Sequence, residues 1–497
     1  MHFFAHQPIK IFDRGRVYHD DSDKSSVKDY IHYIITAVII FGFPFLPNIG
    51  SITDEGMVML GAFIGAIYGW TFIDMLWPSI LAMFSMGLEL GVGTVVAAGL
   101  GSTTTWMLMF FYIIIGILDD AKITDAIMGF FLTRKSLQRS PWLLMTVILF
   151  TCFVVANFNG FGAEVIFLAL LFQMCKMFGI KPYSKFPVVF AVAISFITAL
   201  TAIILPFRGT AILMLSAWTG ITGQSIDYVK YMLAAFPITF IIIAVYLLVA
   251  RFILRVDLSF INSFDAEKFG IKREKLTGDQ KLALVIVCWM LINLLAPSVL
   301  PAEWGITVFL NNLTVFGQTA LPIVVFIVVK YKGKRVVNFE DLAARYIPWQ
   351  MFMMMGVIMP LASFLTADST GITAFMSSLT QPLLGLGTVG FLVLMMAVTC
   401  ILTNFANNAV VGMIMMPILY SFAMATPELS LDAALLILIF ATHFAFLTPG
   451  ATPFAAVMFA NREWIKPTAV YKNGLILIIC LFIVALPLSY VVANLVF

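Results

Sequence analysis

The chain has 497 residues, of which 61% are hydrophobic and only 11% are charged, and its formal net charge is +3. With a mean hydropathy of +1.02, this composition excludes an ordinary water-soluble protein. Nearly all of the sequence divides into apolar runs of about 20 residues, the length that spans a bilayer. Because each backbone polar group in lipid must be bonded within its own segment, we predict helices throughout.

The N-terminal segment, residues 1–30, contains several lysine and arginine residues and an aspartate-rich run. A small-residue cleavage site does not follow it, so we predict a retained cytoplasmic tail and a true membrane span from Ile31 to about Leu46. All five cysteines lie in apolar runs, where they are typical of buried small hydrophobic residues.

Basic residues further along the chain predict its orientation by the positive-inside rule. They cluster in residues 122–139, 176–185, 251–281, 330–345 and 462–472, which we place on the cytoplasmic side together with the tail. The predicted organisation is a first half (31–255), a cytoplasmic linker (256–281) and a second half (282–497). We expect a multi-pass protein of the inner or plasma membrane with a cytoplasmic N-terminus.

Three pairs of similar stretches indicate an internal repeat. WMLMFFYIIIGILDDAKITDAIMGFF (106–131) resembles WQMFMMMGVIMPLASFLTADSTGITAF (349–375), but the first precedes a basic loop whereas the second follows one. The two halves are therefore predicted to be inverted relative to each other. ANFNGFGAEVIF and ILPFRGTAI in the first half precede FANNAVVGMIMMP and ATPFAAVMF in the second at nearly constant offset. Inverted repeats with interrupted helices at matching positions are typical of secondary transporters.

The asparagine-rich stretches lie between apolar runs too short to be separate spans. We predict re-entrant hairpins at about 141–178 and 384–424, and broken helices at about 187–222 and 430–461. Their tips leave backbone groups unpaired, so helix N-termini there favour an anion, and carbonyl, amide and hydroxyl oxygens suit sodium. The alternative is that Asn404, Asn407 and Asn408 only bond helix ends to one another. In all, we predict an all-α fold of about 11 transmembrane helices plus these hairpins.

These residues resemble the divalent anion/sodium symporter family, the citrate/dicarboxylate-type permeases of the ion transporter superfamily. TNFANNAVVGMIMMPI (403–418) is similar to that family's Ser-Asn-Thr hairpin tip, with Asn408 on the Asn, and Thr452-Pro453 is similar to its Thr-Pro. The resemblance implies a scaffold domain, a mobile elevator-type transport domain, a homodimer, and carboxylate transport coupled to sodium.

Residue by residue, the resemblance and the tip pattern predict the following sites. The second sodium site would comprise Thr403, Ala406, Asn408 and Ala451, and a first site would retain Asn159 and Ile204. The substrate-binding set would comprise Asn157, Asn159, Gly160, Arg208, Asn407, Asn408, Ala409, Thr452 and Pro453. Gly160 and Ala409 replace the tip threonines of the family, which argues against a standard four-carbon dicarboxylate as substrate.

Arg208 and Glu164 are charged residues within apolar segments, where charge is costly and usually functional. One interpretation is that they pair as a structural ion bridge. Another is that Arg208 takes the place of the first sodium or binds the substrate carboxylate through two hydrogen bonds. Glu164 is a possible proton carrier.

The predicted function is secondary active transport of an organic anion, a di- or tricarboxylate, by sodium symport. Proton coupling or anion exchange on the same fold is the alternative. An enzyme is not indicated, because catalytic residue pairs and histidine-rich metal motifs are lacking. We expect no organic cofactor and no nucleic-acid partner.

Overall fold

A computed structural model describes residues 27–134, 140–261, 266–365, 367–449 and 451–497. Most of the predicted N-terminal tail and residues 262–265 of the predicted linker lie outside these ranges. Within the described residues, nine helices are long and apolar enough to cross a membrane, or ten if the bent pair Phe339–Tyr346 and Trp349–Phe364 forms one span. Five shorter apolar helices of 10–17 residues are not included in this number.

The helices of the first half follow in this order. They are α1 (Val27–Gly42), α2 (Asp54–Phe72), α3 (Trp77–Leu90), α4 (Val92–Gly99), α5 (Thr103–Asp120), α6 (Ile123–Leu132), α7 (Pro141–Ala156), α8 (Gly160–Met177), α9 (Lys185–Ile204), α10 (Gly209–Thr222) and α11 (Tyr228–Leu248). Helix α11 continues into a π-helical turn, Val249–Ile253.

The second half repeats this order after a pair of long helices. Its helices are α12 (Gly278–Val299), α13 (Gly305–Val328), α14 (Phe339–Tyr346), α15 (Trp349–Leu365), α16 (Ile372–Thr380), α17 (Gly387–Leu402), α18 (Asn408–Met424), α19 (Leu431–Ala441), α20 (Pro453–Ala460), α21 (Pro467–Cys480) and α22 (Leu486–Val496). A two-residue antiparallel ladder, Lys330–Tyr331 with Lys334–Arg335, lies between α13 and α14. The fold is all-α apart from this turn.

Four helix pairs lie in the ranges predicted as hairpins and broken helices, and these names are kept for them here. The first hairpin denotes α7 and α8, and the second denotes α17 and α18. The first broken helix denotes α9 and α10, and the second denotes α19 and α20. Helices α9 and α19 are buried on nearly all faces, as expected for helices that are apolar all round.

Helix packing divides the fold into two groups. In the first group, α1–α5 and α12–α15 pack mainly on one another, and we call it the scaffold group. In the second, the two hairpins and the two broken helices pack with α11, α21 and α22, and we call it the hairpin group. The groups meet where α10 packs on α15 and α11 on α12, while α6 and α16, which belong to neither group, pack on α7 and α18.

Candidate substrate and ion site

The tip of the first hairpin is held by its own asparagines. Asn159 is the N-cap of α8, and its Oδ1 accepts a hydrogen bond from Gly162 N at 2.8 Å. Asn157 donates through Nδ2 to Phe153 O at 2.7 Å. Asn157 Oδ1 is buried and makes no hydrogen bond within the described residues. The tip therefore retains an unused acceptor at membrane depth, where such a group is costly.

The first helix break occupies Leu205–Arg208, between α9 and α10. It requires Gly209, whose φ is +57° and where a Cβ atom would approach Ala202 O to 2.6 Å. The buried hydroxyl of Tyr231 donates to Ile203 O and so satisfies a carbonyl at the end of α9. Arg208 is the N-cap of α10, and no side chain accepts from the first N–H groups of that helix.

Arg208 joins the first break to the first hairpin tip. Its guanidinium donates to the backbone carbonyl of Asn157, although the residue is only 8% exposed. Tyr112 of α5 lies close enough to this charge to interact with it electrostatically. The positive charge of Arg208 therefore contacts a carbonyl at the C-terminal end of α7, where the partial negative charge of the helix favours a cation.

Glu164 does not pair with Arg208. It is fully buried, and its Oε1 accepts a hydrogen bond from the hydroxyl of Ser195 in α9. Its Oε2 is buried and unpartnered within the described part of the chain. The ion pairs found there are Lys176–Glu463, Arg345–Asp120 and Arg345–Asp341. The interpretation of Arg208 and Glu164 as a structural ion bridge is therefore wrong, because their side chains point to different neighbours.

In the second half, Asn404 holds the long break between α19 and α20 together. Its amide nitrogen donates to Cys400 O and Phe444 O, both at 2.8 Å. Its Oδ1 accepts from the backbone N–H groups of Phe446 at 3.1 Å and Leu447 at 2.9 Å. Asn404 thus agrees with the alternative that the tip asparagines bond helix ends to one another, because it bonds unwound backbone groups that would otherwise lack partners.

Oxygen atoms of the second half meet at Thr403. Its hydroxyl contacts Asn408 Oδ1 at 2.8 Å and also donates to the backbone carbonyl of Thr442. Thr403 and Asn408 are buried, at 0% and 8% exposure. Hydroxyl, amide and carbonyl oxygens are the ligands that a hard cation prefers, so this donor set fits sodium. Thr442 was not predicted, although a threonine directly before a break in an apolar helix is a recognisable signal.

The remaining predicted site residues lie around these centres. Asn407 caps α18 by accepting from Ala409 N at 3.0 Å, and Thr452 caps α20 by accepting from Ala455 N at 2.9 Å. Pro453 begins α20 and is exposed. Ile204, Ala409 and Ala451 are buried, and Ala406 and Gly160 are partly buried.

The two halves meet through reciprocal packing. Helix α20 of the second half packs on α8 and α9, and α10 of the first half packs on α18. A Cβ atom at Gly160 would lie 3.4 Å from the ring of Phe454, so the first tip borders the start of α20. Met214 of α10 in turn contacts both Gly412 of α18 and the Thr442 hydroxyl. Each helix break therefore lies against the hairpin of the other half.

Four helices, α8, α10, α18 and α20, begin at these tips and breaks. Helix N-termini carry partial positive charge and free N–H groups, which favour an anion. Arg208 adds a positive charge at the first break. In the second half, the oxygens of Asn408 and Thr442 lie at Thr403, at the end of α17.

Comparisons with known proteins bear on the fold and the family of the chain. The fold is similar to that of the YdaH transporter of Alcanivorax borkumensis, whose crystal structure reveals an unusual topology. The TM-score is 0.55 at 14% sequence identity, over 82% of this chain and 88% of that one, which supports the fold alone. A comparison with curated protein sequences gives no match. The profile of the citrate transporter family matches residues 57–442. Since that match covers most of the sequence, the chain belongs to the citrate transporter family.

Proposed function

We propose that this transporter moves a di- or tricarboxylate by sodium symport, with an elevator-type movement of the hairpin group past the scaffold group. Membership of a citrate transporter family supports a carboxylate-type anion as cargo. The observation that carries the proposal is that Arg208 is held at the first hairpin tip by the Asn157 carbonyl. One cationic side chain thus lies between the first helix break and the first hairpin tip.

The anion side of the proposal rests on the first break. A guanidinium has five N–H donors in a planar fork that matches a carboxylate. The one described side-chain hydrogen bond of Arg208 uses a single nitrogen, Nη1. The first turn of α10 has no side-chain cap, so its N–H groups are available to a second carboxylate oxygen. We assign the cargo carboxylate to Arg208, the start of α10 and the Asn157–Gly160 tip, with Asn407–Ala409 and Thr452-Pro453 bordering the site.

The sodium side rests on the second break. The Thr403 hydroxyl oxygen contacts both Asn408 Oδ1 and Thr442 O. A bound sodium ion would be coordinated by these three oxygens in place of their hydrogen bonds to one another. The carbonyls of Ala406 and Ala451 would complete this site. At the first break the Arg208 charge takes the place of the first sodium ion, so one sodium site is retained.

The division into scaffold and hairpin groups supports the elevator-type movement, because the proposed cargo residues all belong to one packed body. We further propose a homodimer in the inner or plasma membrane, with a cytoplasmic N-terminus.

Uptake of radiolabelled citrate into proteoliposomes tests the proposal. We expect an inward sodium gradient to accelerate uptake relative to an equal choline gradient, and a sodium ionophore to abolish the difference. Uptake that is identical with and without sodium would refute sodium symport. Preloading the liposomes with unlabelled citrate in the absence of sodium tests anion exchange, since only an exchanger would then be accelerated.

Proton coupling is a second candidate, and Glu164 favours it. A buried carboxylate charge without a partner costs several kcal/mol, so a proton or a cation must accompany it. Glu164 has one buried oxygen without a partner among the described residues. If protons drive transport, Glu164→Gln should abolish uptake driven by a pH gradient, whereas Ser195→Ala should only reduce it. If sodium drives transport, Glu164→Gln should retain sodium-driven uptake.

A further inference from the structure

One hydrogen bond links the proposed cargo site to the scaffold group. Asn159 at the first hairpin tip donates through Nδ2 to Oδ1 of Asp119 at 2.6 Å. Asp119 lies in the last turn of α5, which packs with the scaffold helices, whereas Asn159 belongs to the hairpin group. The proposed elevator movement would separate these two groups, so this bond would have to break in every transport cycle.

The carboxylate of Asp119 is held in position from the scaffold side. Its Oδ2 accepts a hydrogen bond from the hydroxyl of Tyr346 at 2.8 Å, and the same hydroxyl lies 3.3 Å from Asp120 Oδ1. Asp120 in turn forms a bidentate pair with Arg345, at 2.9 and 2.6 Å. Arg345 also pairs with Asp341 of α14 at 2.6 Å. Asp119 would therefore keep a partner when it releases Asn159.

The other hairpin tip has a different arrangement. The described side-chain hydrogen bond of Asn408 is to Thr403 of the same hairpin region, at 2.8 Å. Asn404 bonds the α19–α20 break, which belongs to the hairpin group as well. Among the described contacts of these tip asparagines, only that of Asn159 reaches a carboxylate of the scaffold group.

We propose that Asp119 is an internal competitor of the cargo. In the cargo-free protein the Asp119 carboxylate accepts the hydrogen bond of the Asn159 amide. The cargo carboxylate then accepts this hydrogen bond in its place, which frees the hairpin group from the scaffold group. This inference rests on the proposed function, in which Asn159 contacts a carboxylate. Asn159 Oδ1 already caps α8, so Nδ2 is the part of this side chain left for the cargo. Because one carboxylate replaces another, no donor is left unpaired during the exchange.

The first test needs no cargo and so stands apart from the proposed function. Asp119→Cys and Asn159→Cys are combined in a Cys288→Ser background, since Cys288 is exposed. The control pair is Asp120→Cys with Asn159→Cys, because the Asp120 side chain points to Arg345. A short bifunctional thiol reagent should link the 119/159 pair several-fold faster than the 120/159 pair. Equal rates would overturn the proposed contact.

The second test measures citrate binding to the purified transporter by calorimetry. In Asp119→Ala the Asn159 amide is always free, so we expect citrate to bind about tenfold more tightly. In the wild type only the fraction of molecules with a free amide can bind citrate, and the apparent affinity is lowered by that fraction. Asp119→Asn, which keeps the side-chain shape, should give a smaller gain. Asp125→Asn is the charge control, because Asp125 and Asp120 line one cavity. It should change binding less than about twofold, because it has no bond to the tip.

A double variant separates direct competition from a general charge effect. In an Asn159→Ala background, Asp119→Ala should no longer tighten citrate binding. Unchanged or weaker binding in Asp119→Ala alone, or an equal gain in both backgrounds, would overturn the proposal. If the wild-type protein binds no carboxylate at all, the proposed function fails, and the cross-linking rates still decide whether Asp119 holds the tip.

Discussion

The two helix breaks occupy matching places in the repeated element order, yet they carry opposite chemistry. The first, Leu205–Arg208, is short, is joined to its hairpin by a guanidinium, and leads into a helix without a side-chain cap. The second, Thr442–Thr452, is longer, is bonded by Asn404, and leads into a helix capped by Thr452. One repeat thus presents donors and positive charge, whereas the other presents oxygen acceptors. In the proposed function, a common backbone geometry divides anion and cation binding between its two copies.

The largest expected effect comes from removing the charge that distinguishes the first break. Arg208→Ala should lower citrate uptake by about 1,000-fold, because a buried charged hydrogen-bond partner is lost. Arg208→Lys keeps the charge but not the planar fork, so we expect a loss of about tenfold. Arg134→Ala, at an exposed position, is the matched control and should transport normally. Undiminished uptake in a correctly folded Arg208→Ala protein would contradict the anion site.

Removing Asn404 should destabilise the second break more than any other tip substitution. Asn404→Ala leaves the Phe444 carbonyl and the Phe446 and Leu447 N–H groups without this partner, at a cost of about 3 kcal/mol in unfolding free energy. Asn407→Ala removes only a helix cap and should cost about 1 kcal/mol. Thermal unfolding in detergent measures both. Equal shifts in melting temperature would show that Asn404 does not hold the break.

The oxygen cluster of the second break is tested by Thr403→Val, which removes a hydroxyl with little change in shape. We expect the sodium concentration for half-maximal uptake to rise about tenfold, because the ion would lose one polar contact, that with the Thr403 hydroxyl. Thr399→Val, one turn earlier in α17, removes a buried hydroxyl bonded to Met395 O within the helix and is the control. If both variants need the same sodium concentration as the wild type, the cluster is not the sodium site.

The smallest expected effect concerns the Thr452 cap of α20 at the second break, which has no counterpart at the first break. Thr452→Ala should reduce the free energy of unfolding by about 1 kcal/mol, because Ala455 N–H loses its acceptor. Thr452→Ser retains the hydroxyl and should restore the wild-type melting temperature. A loss of stability in both variants would point to packing of the threonine methyl group instead of the cap.

Local patterns in the sequence anticipated where the helices are interrupted. Asn157–Gly160 and Thr403–Asn408 are polar clusters inside apolar runs. Pro206 lies within the first break, and Pro453 begins α20. These signals are local, because an α-helix in lipid is interrupted only where nearby residues give its free backbone groups other hydrogen-bond partners or cannot continue the helix.

The sequence by itself determined the membrane setting, the repeated order of hairpins and broken helices, and the family of the chain. Only the tertiary structure decided which polar residue serves which neighbour: Arg208 bonds the Asn157 carbonyl instead of Glu164, Asn404 holds a segment some 40 residues further on, and Asp119 reaches Asn159 from another group of helices. The physical reason is that a buried polar group must find a partner, but the sequence does not say which of the many donors and acceptors in an all-helical bundle will lie within hydrogen-bonding distance.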